Sequence, residues 1–345
     1  MQKGKHTRPS VRPARTVASR LLKAFYILLM VLSALIVVTY CLWTYAIQPP
    51  TIEEPPAETA PAETGPAETA PGETAPIETG PVRERREQVY TCLIFGMDDG
   101  NGNTDTIMVA TFDVPNQKIG LMSIPRDTVV RQDRSAAWNK INAAYADGGV
   151  EQLDQELEEL LGFPIDYYVK IKLSAFEKLV ESVGGVWFDV PVDMDYDDPY
   201  QDLHIHISKG YQLLNGEQAM QVVRYRQSNS NDSYGDTGRA STQQAFMKAM
   251  LSQVLAGADL GSIPTLADVL FNYVETNASL NDIIFFGKSL LGVDLDTALS
   301  TATLPGEWKS PYEQTDAEAA LGLVNELLPV YTEPVTADIM NIYHK

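Results

Sequence analysis

The hydrophobic pattern divides the chain into an apolar run, a polar repeat and a domain of mixed pattern. Residues 24–47 contain no charged side chain. A helix of that length spans roughly 36 Å, which exceeds the ~30 Å hydrocarbon core of a bilayer. A cleaved signal peptide is the alternative, but its apolar core is usually only ~7–15 residues long and ends at a small-residue cleavage site. We therefore predict one transmembrane helix at 24–47.

The segment that follows repeats Glu-Thr-Ala/Gly-Pro with a period of five between Glu58 and Pro81. Such a composition cannot bury a core, and its proline content favours an extended polyproline II conformation. The pattern predicts a disordered linker over residues 48–87.

The globular pattern begins near residue 88 and predicts a domain over 88–332, followed by a C-terminal tail over 333–345. Three apolar runs separated by turn residues predict an antiparallel meander of strands at Tyr90–Met97, Thr106–Val114 and Lys118–Ile124. Helical and strand patterns alternate afterwards, so the predicted class is α/β with a mixed sheet covered on both faces. The further predicted segments are strands at Tyr167–Ile171 and Val186–Val190, an extended segment at Val223–Arg226, and helices at Val150–Leu161, Ser174–Val183, Gly216–Val222 and Arg239–Leu255.

Charge is distributed unevenly and gives the expected orientation. Residues 1–23 form a tail with seven basic and no acidic residues, whereas all 46 acidic residues follow the apolar run. The positive-inside rule then places this tail in the cytoplasm and the rest outside the cell, anchored by a single pass. The part after the apolar run carries a charge of about −27, which argues against nucleic-acid binding.

Several acidic and basic residues are predicted to meet at one edge of the meander. Asp98 follows the first strand and Asp105 begins the second, and the third strand returns Arg126 and Asp127 to the same edge. Carboxylate oxygens suit a hard divalent cation, Mg²⁺ or Mn²⁺, which could bridge to substrate phosphates. The alternative is an ordinary polar turn, because Asp, Asn and Gly are common in turns.

A second group of residues points to an anion. Arg224 and Arg226 share one face only if their segment is extended, and a solvated strand end is the alternative. Asp236 or Thr237 is expected to cap a helix on which Arg239 and Gln243 lie one turn apart. These residues predict a local cationic cluster suited to phosphate or pyrophosphate.

Two histidines form a third candidate. His204 and His206 alternate with isoleucines, so a strand would place both imidazoles on one face, as in some metal sites. No third ligand has a suitable spacing in the sequence. An exposed strand face is therefore the expected interpretation.

The motifs, taken in order, resemble those of the LytR-CpsA-Psr family of cell-envelope glycopolymer transferases. The resemblance runs from about Tyr90 to Leu255, with a weaker echo at Glu275-Thr276-Asn277 and at Thr303–Gly306. It rests on Gly96-Met97-Asp98, Thr104-Asp105-Thr106, Ile124-Pro125-Arg126-Asp127-Thr128, Lys140-Ile141-Asn142-Ala143-Ala144-Tyr145, Gly216-Glu217-Gln218-Ala219, Arg224-Tyr225-Arg226, Asp236-x-Gly238-Arg239 and Gln243-Gln244.

The resemblance implies an α-β-α sandwich that encloses an apolar tunnel for a lipid tail. It implies transfer of a glycan-phosphate from a polyprenyl-pyrophosphate carrier to peptidoglycan, with a phosphodiester formed and polyprenyl phosphate released. The implied metal ligands are Asp98 and Asp105. The residues implied to bind pyrophosphate are Arg126, Lys140, Arg224, Arg226, Arg239 and Gln243.

The sequence departs from the family pattern at two positions. Asn103 and Thr242 stand where the family usually has arginine. Loss of these cations would suit weaker pyrophosphate binding, or a non-catalytic envelope regulator or scaffold that binds polyprenyl phosphates. The acids Asp98 and Asp105 favour the enzyme, because a pure lipid binder would not need both.

The predicted orientation can be tested by proteolysis. Because the linker is expected to lie outside the membrane, protease added to intact, wall-stripped cells should release a fragment that begins between Thr51 and Arg86. Immunoblotting with an antibody against the domain measures the release. Complete protection of that fragment, with an external marker protein digested in the same sample, would contradict the orientation.

Overall fold

The computed structural model describes residues 30, 33, 48–52, 83–97, 103–130, 139–198, 203–227, 234–259 and 261–343. Two compact units divide the chain, residues 1–48 and 49–345. In the first unit, Met30 and Ser33 are helical. No helix among the described residues has the length and apolar character needed to cross a membrane. Apart from Met30 and Ser33, the predicted segments 1–23 and 24–47 lie outside the described residues, as does most of the predicted linker.

Strands and helices alternate through the second unit after an opening group of three strands. The strands are β1 (Val89–Met97), β2 (Thr104–Asp113), β3 (Lys118–Ser123), β4 (Tyr167–Lys172), β5 (Val186–Val190), β6 (Met194–Asp198), β7 (Leu203–Ile207), β8 (Gly210–Leu214), β9 (Val274–Thr276), β10 (Leu299–Thr303), β11 (Gly306–Lys309) and β12 (Tyr312–Thr315). The helices are α1 (Ile141–Leu161), α2 (Leu173–Ser182), α3 (Gly216–Arg224), α4 (Gly235–Gly257), α5 (Ile263–Tyr273), α6 (Leu280–Leu290), α7 (Leu295–Ala298) and α8 (Ala317–Leu327).

A six-stranded sheet in the order β10-β3-β2-β1-β4-β9 forms the centre of this unit. Neighbouring strands in the meander β1-β2-β3 are antiparallel. Strand β4 pairs with β1 in parallel, and β10 pairs with β3 in parallel. The predicted meander and the mixed sheet are therefore confirmed.

One face of the sheet is fully packed. Leu93 and Phe95 of β1 and Val109 of β2 are completely buried. They belong to a cluster that includes Leu157 of α1 and Val324 of α8. Burial of large apolar side chains contributes about 1.5–3 kcal/mol each, so this cluster is a main source of stability. Helices α1 and α8 thus form one outer layer.

The second sheet face is apolar and unevenly buried. Ile94 of β1 and Ala110 and Phe112 of β2 are of intermediate exposure, whereas Met108 and Leu121 on the same face are buried. Helices α4 and α6 lie on this side, because Gln244 donates to the Ser123 hydroxyl at 2.7 Å and the Phe286 ring lies 6.4 Å from that of Phe112. The arrangement has three layers, helix, sheet and helix, and its second interface is less tightly filled than its first.

The chain on either side of the predicted domain also contributes to the fold. Val335 and Met340 are buried in the main cluster, and the Arg86 amide donates to the Val330 carbonyl at 3.0 Å. The folded unit therefore starts before residue 88 and continues beyond the boundary predicted at 332.

Helix ends differ from the predictions at three places. Helix α1 starts nine residues before the predicted Val150 and is interrupted at Gly149, whose φ of 76° lies in the left-handed region that glycine tolerates. Helix α3 begins with a capping box and extends through Arg224, so the extended segment predicted at Val223–Arg226 is wrong for its first two residues. Helix α4 begins at Gly235, so Asp236 lies in its first turn and is not the N-cap.

One carboxyl in α1 should make stability depend on pH. Burial, with smaller contributions from Glu158, Asp166 and Glu151, raises the pKa of Asp154 from 3.8 to about 7. The folded chain therefore binds this proton more tightly than the unfolded chain, so the free energy of unfolding should fall as pH rises through this range.

Asp154→Asn should remove this decrease in the free energy of unfolding with rising pH. The shift corresponds to about 4 kcal/mol, which partial exposure reduces to about 1–2 kcal/mol. In urea titrations, the free energy of unfolding of the variant should exceed that of the unmodified protein by this amount at about pH 8. At about pH 4 the two values should differ little. Glu181→Gln, at an exposed position of α2, is the control. An equal difference at both pH values would contradict the prediction.

Candidate active site

The candidate site lies where the meander strands end at one edge of the sheet. Met97 of β1 pairs with Thr104 of β2, and Met108 of β2 pairs with Ser123 of β3. Asp105 and Arg126 are thereby brought to the same edge, as the sequence predicted. Asp98 lies outside the described residues, so its place in the site stays a prediction.

Arg126 lies at the centre of a network of charges. Its Nη1 is 2.8 Å from Asp105 Oδ1, and its Nε is 3.7 Å from Asp127 Oδ2. Burial lowers the pKa of Arg126, but the hydrogen bond to Asp105 and the charges of Asp105, Asp127 and Asp236 raise it above its usual value. The Nε atom is buried and has no hydrogen-bond partner among the described residues. Asp127 is thus an ion-pair partner beyond hydrogen-bond distance. A buried donor without a hydrogen bond is unusual in proteins and favours an acceptor supplied by a ligand.

Asp127 joins Arg126 to Lys140. The Lys140 ammonium lies 2.6 Å from Asp127 Oδ1 and 5.9 Å from the centre of the Trp308 ring. Lys140 immediately precedes α1, and its backbone bridges to Val129 in the segment after Asp127. Two cations thus share one carboxylate, which fixes their positions relative to each other.

Asp236 makes a second bridge between two cations. Its carboxylate lies 2.7 Å from Arg226 Nη2 and 2.8 Å from Arg239 Nη2. Burial lowers the pKa of Arg239; Asp236 opposes this effect, whereas Arg126 and Arg226 add to it. The arginines of the two bridges are therefore close enough to interact electrostatically. The sequence predicted Asp236 as a helix cap, and its bridging role was missed.

Gln243 lies at the site as predicted, whereas Arg224 and Thr242 are placed differently. Gln243 borders the site, and its amide donates to the Val223 carbonyl at 3.0 Å. Arg224 is half-buried in the last turn of α3, and no described residue forms an ion pair with it. Because Arg224 is helical, the argument that placed it on one strand face with Arg226 is wrong. Thr242 is buried, and its hydroxyl forms a hydrogen bond with that of Tyr234.

A cleft of about 280 Å³ connects these elements. Among the residues that line it are Asp105, Arg126, Asp127, Asp236, Arg239 and Gln243 from the predicted groups, together with Thr303–Gly306, Trp308 and Glu313. The weak echo at Thr303–Gly306 was a sequence signal for this wall. No pattern pointed to Trp308 or Glu313.

Glu313 reaches the cleft through backbone pairing. Its amide donates to the Asp127 carbonyl at 2.9 Å, and its carbonyl accepts from the Val129 amide at 3.1 Å. Burial, and then the charges of Asp127, Asp236 and Glu307, raise the pKa of its carboxyl. The cleft thus contains carboxylates and guanidinium groups side by side, with Asp236 and Glu313 as acids beyond those that the sequence placed at this edge.

The donor set at Asp105 fits a hard cation. Its side chain is 47% exposed at the cleft edge, and one of its two oxygens accepts from Arg126. A carboxylate has further acceptor capacity, and Mg²⁺ commonly takes only one or two protein carboxylates while keeping several waters. Asp105 can therefore serve as one ligand, and a second would have to come from another residue such as Asp98.

The fold and the cleft define an α/β protein whose site suits a phosphorylated ligand. Guanidinium groups bind phosphate oxygens through paired hydrogen bonds, and Arg126 and Arg239 both border the same small cleft. Trp308 adds an exposed aromatic surface beside them.

Comparison with known proteins identifies the family. The LytR_cpsA_psr family model matches residues 63–326, and the chain belongs to this family. This confirms the resemblance drawn from the motifs.

Two curated relatives share about a third of their aligned residues with the chain. The polyisoprenyl-teichoic acid–peptidoglycan teichoic acid transferase TagV of Bacillus subtilis (strain 168) is 32% identical over 209 residues, 58% of this chain and 53% of the relative. The transferase of the same description named TagU from Bacillus cereus (strain AH820) is 35% identical over 210 residues, 59% of this chain and 65% of the relative. The match thus spans less than two thirds of each relative.

The crystal structure of B. subtilis TagV has the same fold. It superposes with a TM-score of 0.61 and 28% identity, covering 71% of this chain and 98% of that one. This agrees with the three-layer arrangement and the mixed central sheet.

Proposed function

We propose that this protein transfers a glycan-phosphate from a polyprenyl-pyrophosphate carrier to peptidoglycan. A peptidoglycan hydroxyl oxygen forms a bond to the sugar-linked phosphorus and passes its proton to a carboxylate of the cleft. The bond from that phosphorus to the bridging oxygen breaks, and polyprenyl phosphate leaves with the electron pair. The product is a phosphodiester. The names of the relatives, teichoic acid transferases, support a wall polymer of this kind as the substrate.

One observation carries the proposal: Arg126 and Arg239 border one small cleft, and Arg126 has a buried Nε without a hydrogen-bond partner among the described residues. Pyrophosphate oxygens would satisfy this donor and offset the repulsion between the guanidinium groups. Such groups stabilise the charge that develops on the leaving phosphate, which is the main demand of phosphoryl transfer. Asp127 and Asp236 act as positioning residues, because each joins two of the cations.

The incompletely buried part of the second sheet face supports a site for the lipid tail. The cleft lies at one end of this face, since Thr106, Ser123 and Gln243 border it. Ile94, Ala110 and Phe112 extend from there along β1 and β2 beneath α4 and α6. An apolar layer that its own helices do not fill can accept a polyprenyl chain, as the tunnel expected from the family requires.

We include two further elements in the proposal. Asp98 and Asp105 would hold Mg²⁺ or Mn²⁺, which when bound neutralises charge on the pyrophosphate. The domain would lie outside the cell, anchored by the apolar segment 24–47, where both peptidoglycan and the lipid carrier are accessible.

The metal role can be tested at Asp105. Asp105→Asn keeps the size of the side chain but removes its charge, so Mg²⁺-dependent transfer should be lost, together with Mn²⁺ binding measured by electron paramagnetic resonance. Folding should be unaffected, because an exposed ion pair usually contributes only about 0–1 kcal/mol. Asp189→Asn, an exposed acid on β5, is the matched control. Wild-type Mn²⁺ binding in Asp105→Asn would remove this residue from the metal site.

The arginine role can be tested by substitution with lysine. If Arg126 orients the pyrophosphate through two parallel hydrogen bonds, Arg126→Lys should lower the transfer rate at least ~10-fold, or about 1.4 kcal/mol. Steady-state transfer from a synthetic short-chain polyprenyl-pyrophosphate sugar measures the rate. Arg83→Lys, whose arginine binds the Pro334 carbonyl outside the cleft, should retain full activity.

A second variant examines the missing cation. Asn103→Arg should leave the rate unchanged or raise it, because the anionic substrate would gain a donor. Full activity in Arg126→Lys together with a marked loss in Asn103→Arg would contradict the arginine role. Tight binding of the pyrophosphate without turnover in the unmodified protein would instead indicate a regulator or scaffold.

A further inference from the structure

Four side chains outside the cleft converge on one face of the strand pair β6–β7. The strands are antiparallel, and the register places Asp195 opposite His206 and Asp197 opposite His204. Because residues two apart in a strand share a face, all four side chains project from the same side of the pair. The sequence had suggested two histidines on one face, and the neighbouring strand supplies the third ligand that the sequence spacing did not reveal.

The distances between these side chains suit a metal ion. Asp197 Oδ1 lies 2.5 Å from His204 Nδ1 and 3.3 Å from His206 Nε2. One ligand atom from each of these three residues lies within 4.8 Å of the others. Ligand atoms around a tetrahedral Zn²⁺ with bonds of about 2.0–2.1 Å are separated by about 3.3 Å. The Asp197–His206 pair already has this separation, whereas the 2.5 Å between Asp197 and His204 would have to lengthen by a small side-chain rotation at His204.

Asp195 fixes the orientation of one imidazole. Its Oδ1 lies 2.8 Å from His206 Nδ1, so that nitrogen carries the proton as a donor and leaves Nε2 to face Asp197. A carboxylate that accepts from the second nitrogen of a metal-binding histidine is a recurrent feature of zinc sites.

The opposite face of the strand pair makes the platform rigid. Met194, Ile205 and Ile207 are buried in a cluster with Val222 of α3. The His206 amide donates to Gln221 of the same helix at 3.2 Å. The four polar side chains therefore extend from a backbone that is fixed by packing, and a metal ion would not have to order it.

We infer that Asp197, His204 and His206 form a binding site for a divalent transition metal such as Zn²⁺, with Asp195 as a positioning residue and the remaining coordination position open to water. Three protein ligands with an open position distinguish this arrangement from closed structural sites. Nitrogen donors favour Zn²⁺ over Mg²⁺, which prefers oxygen ligands. The inference does not rest on the proposed transfer reaction.

Zn²⁺ binding to the full chain in detergent, measured by equilibrium dialysis, tests the site. We expect the unmodified chain to bind Zn²⁺ and Asp195→Asn to lower the affinity about 10-fold. His204→Gln and His206→Gln should each lower the affinity further. Co²⁺ bound to the unmodified chain should show the visible absorption of a four-coordinate site with nitrogen ligands, which both histidine variants lose. Circular dichroism should show an unchanged fold, because all four side chains are exposed.

Two controls separate this site from adventitious binding. The double variant His6→Gln/His344→Gln removes the other two histidines of the chain and should bind Zn²⁺ normally. Asp189→Asn removes an acid from a neighbouring strand pair and should also bind normally. Affinity within two-fold of the unmodified protein in both His204→Gln and His206→Gln, or an equal loss in any control, would overturn the inference.

Discussion

Like charges held close together are the constraint on which the cleft depends. Arg126 and Arg239 border the same small space, and the charge of Arg126 contributes to the lowered pKa of Arg239. In a partly buried site, such repulsion is not fully screened by solvent. Asp105 and Asp127 on one side and Asp236 on the other offset it. The acids therefore make it possible for the guanidinium groups to stay together before any substrate arrives.

This arrangement has a consequence for binding. A pyrophosphate that enters must compete with carboxylates that already occupy Arg126, Arg226 and Arg239. The Arg226–Asp236 pair is exposed and contributes only about 0–1 kcal/mol, so this partner is exchanged at little cost, whereas Arg126 and Arg239 are more deeply buried. The buried Nε of Arg126 differs, because no described residue forms a hydrogen bond with it and its ion-pair partner Asp127 lies 3.7 Å away. In the proposed function, the substrate gains most from this donor, and the surrounding acids limit the binding of weaker anions.

The sequence predicted those features that depend on neighbouring residues along the chain. Apolar runs separated by turns predicted β1, β2 and β3, and their order placed Asp105 and Arg126 at one edge. Contacts between distant segments were not accessible in the same way. Glu313 enters the cleft because its strand pairs with the backbone around Asp127 and Val129, nearly two hundred residues earlier. No periodicity within either segment records this pairing.

Local competition explains the other differences. The pattern around Arg224 predicts an extended segment, yet the capping box at Asn215 and Gln218 and the favourable position of Arg224 at the helix C-terminus extend α3 instead. Strand β6 was missed because it is rich in aspartate, which is uncommon in strands. Its buried Met194 and the pairing with β7 outweigh that propensity. Asp195 and Asp197, which lower the strand propensity of β6, are the same residues that complete the histidine cluster. The weak strand propensity of β6 therefore accompanies a polar face that could bind a metal ion.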